Sequence, residues 1–283
     1  MSILFETVEI NGMCVPNRFV RSATYDGCAD KNGDVTQMQI DLFDRLASGG
    51  TGLIVTGIAY VHDSGQISAF QNSIADDGRI AGLKKLTDAV HAKGAKIAVQ
   101  LFHAGREAEG FLKTQNRDAA GPSQAVAEDP YFTRPYRSLA EDEIHEIIAS
   151  FGDAAQRAQA AGFDAVQLHA AHSYLPAQFL SPYTNRRTDK WGGSLENRLR
   201  FHHEIYNHIR AKVGENYPVL AKIGVEDGFE GGLEFAEGCR AAQMLAQRGF
   251  DSLEISSGIR GKRYQGTEFK TGIKSPGKEA YFR

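Results

Sequence analysis

Cysteine is scarce in this chain: Cys14, Cys28 and Cys239 are the only three in 283 residues, and no two stand at CxxC spacing. An odd, scattered set builds neither a disulfide framework nor a cysteine-based metal centre, and it suits a reduced, cytoplasmic protein. Long hydrophobic runs are also missing. Nothing approaches the roughly 20 apolar residues that span a bilayer. The opening MSILFETVEING has no basic segment leading into an apolar one, so neither an anchor nor a secretory signal is expected. Positive charge is not in excess: 32 Lys and Arg against 35 Asp and Glu leave a formal net charge of −3. A nucleic-acid footprint normally shows a basic surplus. The short basic runs NRR (185–187) and GKR (261–263) read as solvated surface. There is no HExxH pattern, so the pair His169-x-x-His172 is not expected to hold a metal. No GxGxxG follows the first strand-like run, which removes the fingerprint of a doubly wound dinucleotide-binding sheet.

What the chain does have is one repeated junction. LASGGTGLIVTG (46–57), VHAKGAKIAVQL (90–101), AQAAGFDAVQLH (158–169) and LAQRGFDSLEIS (245–256) each stop a helix at glycine and then start a short apolar run. Glycine suits the left-handed position just past a helix end. With NRFVRSA and YPVLAKIG, these runs predict six strands, near 18–23, 53–58, 95–101, 164–169, 218–224 and 251–256. Helices are predicted at 80–93, 138–161, 194–213 and 235–248. Ser138 and Glu141 have the spacing of a capping box at the start of the second, and Ser194 opens the third. His202 and His203, adjacent on that helix, suit a surface role. Alternating strands and helices imply a parallel sheet with right-handed crossovers. The stereotyped unit favours a (β/α)8 TIM barrel, in which eight strands are complete. Six are counted, and GKEAYFR (277–283) reads as the opening turn of a sixth helix. The expectation is therefore one barrel domain over 1–283, truncated after its sixth strand, in a protein that continues beyond Arg283. Open sheet edges in such a chain would favour pairing between copies, a homo-oligomer.

Barrel chemistry sits at the C-terminal ends of the strands. Those ends carry Ala23-Thr24-Tyr25, Thr56-Gly57, Gln100, His169, Lys222 and Ser256-Ser257. His172 and Tyr174 follow directly on His169. The long connection from 102 to 137 suits an active-site loop. Arg106, Arg186, Arg187 and Asp189 suit a structural ion-pair network, and Trp191 a helix start.

NRFVRSAT, VQLFHAGR, PVLAKIG and above all GFDAVQLHAAHSYLPAQFLSPYTNRRTDKWGGSLENRLRF carry a resemblance in order from about Phe5 to Gly258. They resemble the Old Yellow Enzyme-like NADH:flavin oxidoreductase / NADH oxidase family of FMN-dependent ene-reductases. The resemblance implies an FMN-binding barrel that reduces activated alkenes with electrons from NADH or NADPH. It implies that the backbone of Ala23 and Thr24 lies along the flavin and that Gly57 leaves room at its pyrimidine edge. Gln100 would bond the polar side of the ring, and Lys222 would stand by N1 and O2. His169 and His172 would hold the substrate oxygen, with Tyr174 as proton donor. Tyr25 stands where relatives often place threonine or cysteine, and Lys222 where arginine is frequent. Larger relatives carry an iron–sulfur cluster and further domains after the barrel. Two other readings come from the residues alone: a Schiff-base lyase using the Lys222 amine, and a non-catalytic barrel fragment serving as an interaction module.

Overall fold

The Gly-Phe-Asp triplets at 162–164 and 249–251 show how the chain builds its units. Gly162 and Gly249 take φ of +85° and +115°, ending a helix, and Phe163 and Phe250 enter the core between sheet and helices. The aspartate then ties its strand to the neighbour: Asp164 accepts from the Ile97 amide at 2.9 Å, and Asp251 from the Val219 amide at 2.7 Å.

The computed structural model describes residues 2–127, 129, 132 and 134–259. In chain order the elements are β1 (Val8–Ile10), β2 (Met13–Val15), β3 (Val20–Arg21), α1 (Gln37–Ser48), β4 (Leu53–Tyr60) and β5 (Asn72–Ser73). There follow α2 (Ile80–His91), β6 (Lys96–Phe102), α3 (Glu109–Leu112), β7 (Ala120–Gly121), β8 (Arg137–Ser138) and α4 (Glu141–Ala160). The last are β9 (Ala165–Ala170), α5 (Leu175–Leu180), α6 (Leu195–Val213), β10 (Val219–Gly224), α7 (Phe235–Arg248) and β11 (Ser252–Ser256).

The sheet runs β3-β4-β6-β9-β10-β11, each strand beside its predecessor, with the short β5 added to β4. Every pairing in it is parallel. The helices pack in the same succession, α1 on α2, α2 on α4, α4 on α6 and α6 on α7. Sequential parallel strands with a succession of helices are the arrangement of a β/α barrel. Alternation along each strand then decides the layers. Ile97, Val99, Leu101, Val166, Leu168, Val219, Ala221 and Ile223 face the helices. Leu53, Val55, Ala98, Ala165 and Leu220 face inward at the N-terminal end, where Met13 and Val15 of the β1–β2 hairpin plug the floor.

Four expectations change. Ser138 and Glu141 form no capping box: Ser138 lies in β8, its Oγ donates to the Pro122 carbonyl, and Ala140 is the N-cap. Glu143 reaches back to the Ala140 amide instead, at 2.8 Å. His202 is not at the surface but fully buried on α6, which packs against both α4 and α7. The run 185–187 is not a solvated face. Asn185 is buried and donates to the Phe179 and Trp191 carbonyls, while Arg187 grips Asp189 and the Pro122 and Leu139 carbonyls. The first predicted strand, 18–23, forms a ladder only over Val20–Arg21. The runs 261–263 and 277–283 lie outside the described residues.

Candidate functional site

His169 is the penultimate residue of β9 and points into the barrel, two positions beyond Gln167. Its Nδ1 accepts the Ala171 amide at 3.4 Å, which assigns the proton of the neutral ring to Nε2. Beyond Ala170 the chain turns sharply through His172 and Ser173, with φ of +58° and +70°. Non-glycine residues enter this region at a cost of about 1–3 kcal/mol each. Two bonds to the residues just past β11 hold them there: His172 N–H to Ser257 O at 3.0 Å and Ser173 N–H to Gly258 O at 3.1 Å. The turn folds the His172 ring back to 5.0 Å from that of His169, with its Nε2 at 2.6 Å from Ser256 Oγ. Tyr174, the N-cap of α5, brings its ring to 4.8 Å from His169 and 4.4 Å from Phe102. His169, His172 and Tyr174 thus converge on one rim. His103 does not join them. Its Nε2 meets Ser64 Oγ at 2.9 Å, and burial, with the charge of His62, pushes its pKa down to about 3.

Beside these residues runs a polar girdle across the barrel interior, with Lys222 in register with His169 and Glu254 with Lys222. Gln100 (β6) donates Nε2–H to Gln167 Oε1 (β9) at 2.7 Å. Gln167 in turn donates Nε2–H to Glu254 Oε2 (β11) at 3.0 Å. Glu254 Oε1 accepts from Ser22 Oγ at 2.6 Å and pairs with Lys222 Nζ (β10) at 2.9 Å. Lys222 also donates to Ser22 Oγ at 3.1 Å. The Lys222 ammonium is therefore buried but paired. Burial opposes ionisation of Glu254, yet the Lys222 hydrogen bond and charge, with Ser22 and Gln167, hold its carboxyl below the usual range.

Ala23 packs on the floor cluster, and Thr24 and Tyr25 arch over β4. A Cβ on Gly57 would stand 2.9 Å from Thr24 O and 3.3 Å from Tyr25 Cα, so this glycine is required by backbone crossing. It sits where β4 slips register between Val55 and Ile58, as glycines at bulges do. The Tyr25 hydroxyl donates to Ser68 Oγ at 2.8 Å. Arg106 stacks its guanidinium 4.6 Å from the centre of the Phe132 ring, within the 102–137 connection.

Gln167, Glu254, Ser22 and Phe102 escaped the reading of the sequence. A signal existed for two of them: in AVQLH and SLEIS the polar residues stand two apart, so Gln167 shares a face with His169, and Glu254 with Ser256. A half-buried glutamate on that face is favoured by a nearby cation, which Lys222 provides.

These donors suit FMN. One fixed cation and one amide at the barrel interior match a ring edge that displays both donor and acceptor atoms and gains negative charge on reduction. A Schiff-base role needs a neutral amine, whereas Lys222 is ion-paired to Glu254. Comparison with known proteins agrees. An NADH oxidase of Thermoanaerobacter brockii is 40% identical over 257 residues, 90% of this chain and 39% of that protein. The chain thus spans well under half of that relative. A solved 2-naphthoyl-CoA reductase complex superposes with a TM-score of 0.86 at 32% identity, covering 94% of this chain and 42% of that one. Morphinone reductase in complex with tetrahydroNAD superposes with a TM-score of 0.79 at 31% identity, covering 90% and 74%. The sequence profile of a family of FMN enzymes that draw on NAD(P)H matches residues 3–261, and the chain belongs to that family, the NADH:flavin oxidoreductase / NADH oxidase family.

Proposed function

We propose that residues 1–283 act as one FMN-binding barrel domain of an oxidoreductase that uses NADH or NADPH to reduce activated alkenes of the enone type. The observation that carries this reading is the convergence of His169, His172 and Tyr174 on one rim, with Lys222 in register beside His169 and Gln100 in register with Gln167, two residues before His169. Reductases of morphinone and of 2-naphthoyl-CoA are among the structural neighbours, which supports a reductive small-molecule chemistry.

Ala23, Thr24, Gly57, Gln100 and Lys222 would hold the cofactor. FMN bound there would supply the hydride chemistry between NAD(P)H and an alkene carbon. The protein's own residues then do the rest. His169 Nε2–H and the His172 ring grip the carbonyl oxygen of the substrate and stabilise the enolate charge that grows there as hydride arrives. The Tyr174 hydroxyl delivers its proton to the carbon beside the carbonyl. One hydride and one proton complete the reduction. The buried wall of Phe102 against Tyr174 keeps the phenol aimed at the rim.

The test is Tyr174→Phe. Flavin reduction by NAD(P)H should stay near the wild-type rate, while alkene reduction should fall by about 10²–10⁴, the usual worth of a positioned acid. Wild-type enone reduction in that variant would assign the proton to another group.

A further inference from the structure

The girdle has a direction. A carboxylate accepts hydrogen bonds and donates none, whereas a primary amide does both from opposite ends. Glu254 therefore requires Gln167 to turn its NH2 toward it, and Gln167 does so at 3.0 Å. That leaves Gln167 Oε1 to accept, which it does from Gln100 Nε2 at 2.7 Å. Gln100 then has its own Oε1 on the side away from Gln167. Reversing the charge end would reverse both amides. The same carboxylate fixes Lys222, whose four-carbon stem is otherwise free to rotate: Nζ is held by Glu254 at 2.9 Å and by Ser22 Oγ at 3.1 Å. Parallel register sets Glu254 directly beside Lys222, so the contact follows from the sheet itself. The groups facing this carboxylate are Ser22 after β3, Gln167 on β9 and Lys222 on β10.

We infer that Glu254 is a positioning residue of the flavin site. It pins the Lys222 ammonium, partly cancels its charge, and sets the amide direction of Gln167 and Gln100 so that Gln100 offers its carbonyl oxygen to the cofactor. This rests on the reading of Lys222 and Gln100 as flavin ligands. Two consequences separate. The charge effect concerns the balance between oxidised and reduced cofactor, since a lone cation favours the anionic reduced ring more than a paired one. The amide effect concerns affinity for both forms.

The experiment uses the full chain loaded with FMN. Its midpoint potential is measured against a reference dye, its FMN dissociation constant by fluorescence, and its folding by circular dichroism. Glu254→Gln removes the charge at constant shape. It should favour the reduced cofactor by about tenfold, an upward shift of about 30 mV for a two-electron couple. Gln167→Met breaks the amide relay and leaves the ion pair alone. It should weaken FMN binding about tenfold with the potential unmoved. Lys222→Met is the control for the underlying site and should shift the potential downward. If Lys222→Met shifts the potential and Glu254→Gln does not, the site stands and the role of Glu254 is overturned. If Glu254→Gln fails to fold, Gln167→Met decides, and wild-type FMN affinity in it overturns the inference. If the wild-type chain binds no FMN, or Lys222→Met moves nothing, the flavin reading falls and this inference with it.

Discussion

Lys222→Met in the cofactor-free chain should expose the energetics of the girdle without reference to flavin. Methionine keeps most of the aliphatic volume of the lysine stem and removes the ammonium. The Lys222 side chain is 9% exposed and that of Glu254 32%, with 2.9 Å between them. Removing one partner of a buried ion pair costs about 3–5 kcal/mol, because the other charge is stranded. Glu254 is one-third exposed and keeps its bonds from Ser22 and Gln167, so the cost should fall below that range, at about 2–3 kcal/mol. Adding Glu254→Gln removes the stranded charge, and the double variant should return to within about 1 kcal/mol of wild type. Urea denaturation of the four proteins at pH 7, analysed by linear extrapolation, measures the cycle. The pH dependence provides a second check. In the single variant Glu254 loses the cation that holds its carboxyl low, so its folded pKa should rise above the unfolded value of about 4.3. The deficit should then be present at pH 7, begin to shrink as the pH falls through that raised folded pKa, and go on shrinking below about 4 as wild-type Glu254 is protonated too. A double variant as unstable as the single one, with a deficit independent of pH, would refute the charge argument and leave only stem packing.

Other consequences are open to simpler measurements. Burial, with the neighbouring His203 charge, pushes the His202 pKa down to about 3. The folded protein thus keeps this ring neutral while the unfolded chain protonates it below about 6.5, so stability falls as pH drops through that window, by about 3 kcal/mol at pH 4.5. His202→Leu should reduce the loss of stability between pH 7 and pH 4.5 by about that amount, leaving the part due to His103, and an unchanged slope would count against it. Gly57→Ala drives a Cβ to 2.9 Å from the Thr24 carbonyl oxygen; backbone cannot rotate away, so about 1–3 kcal/mol of stability should be lost, read as a lower thermal midpoint. Ser194→Ala removes the hydroxyl that accepts the Asn197 amide at 3.3 Å at the start of α6 and should cost about 1 kcal/mol. Tyr174→Phe, by contrast, keeps the ring on Phe102 and should melt with the wild type, so its loss of alkene reduction cannot be blamed on folding.

The six strands and the four helices between 80 and 248 were legible because each rests on local chemistry. Apolar alternation, a helix-stopping glycine and a capping serine act within a few residues, and Ser194 capped where expected. His169, His172 and Tyr174 were legible for the same reason: six residues contain them, and one strand end with one tight turn brings them together. Elsewhere the local signal had a competitor. Ser138 found the Pro122 carbonyl and did not cap α4. His202 was buried by packing of α6 between α4 and α7, a burial set by which neighbours a helix face meets. Lys222 could be placed on a strand from its neighbours in sequence, but its partner could not. Glu254 meets Ser22 across 232 positions of chain and Gln167 across 87. Only parallel register and the inward turn of alternate residues bring those side chains into one girdle. Charge compensation in a barrel interior is settled between strands, so the state of the lysine belonged to the tertiary structure, although the lysine itself was plain in the sequence.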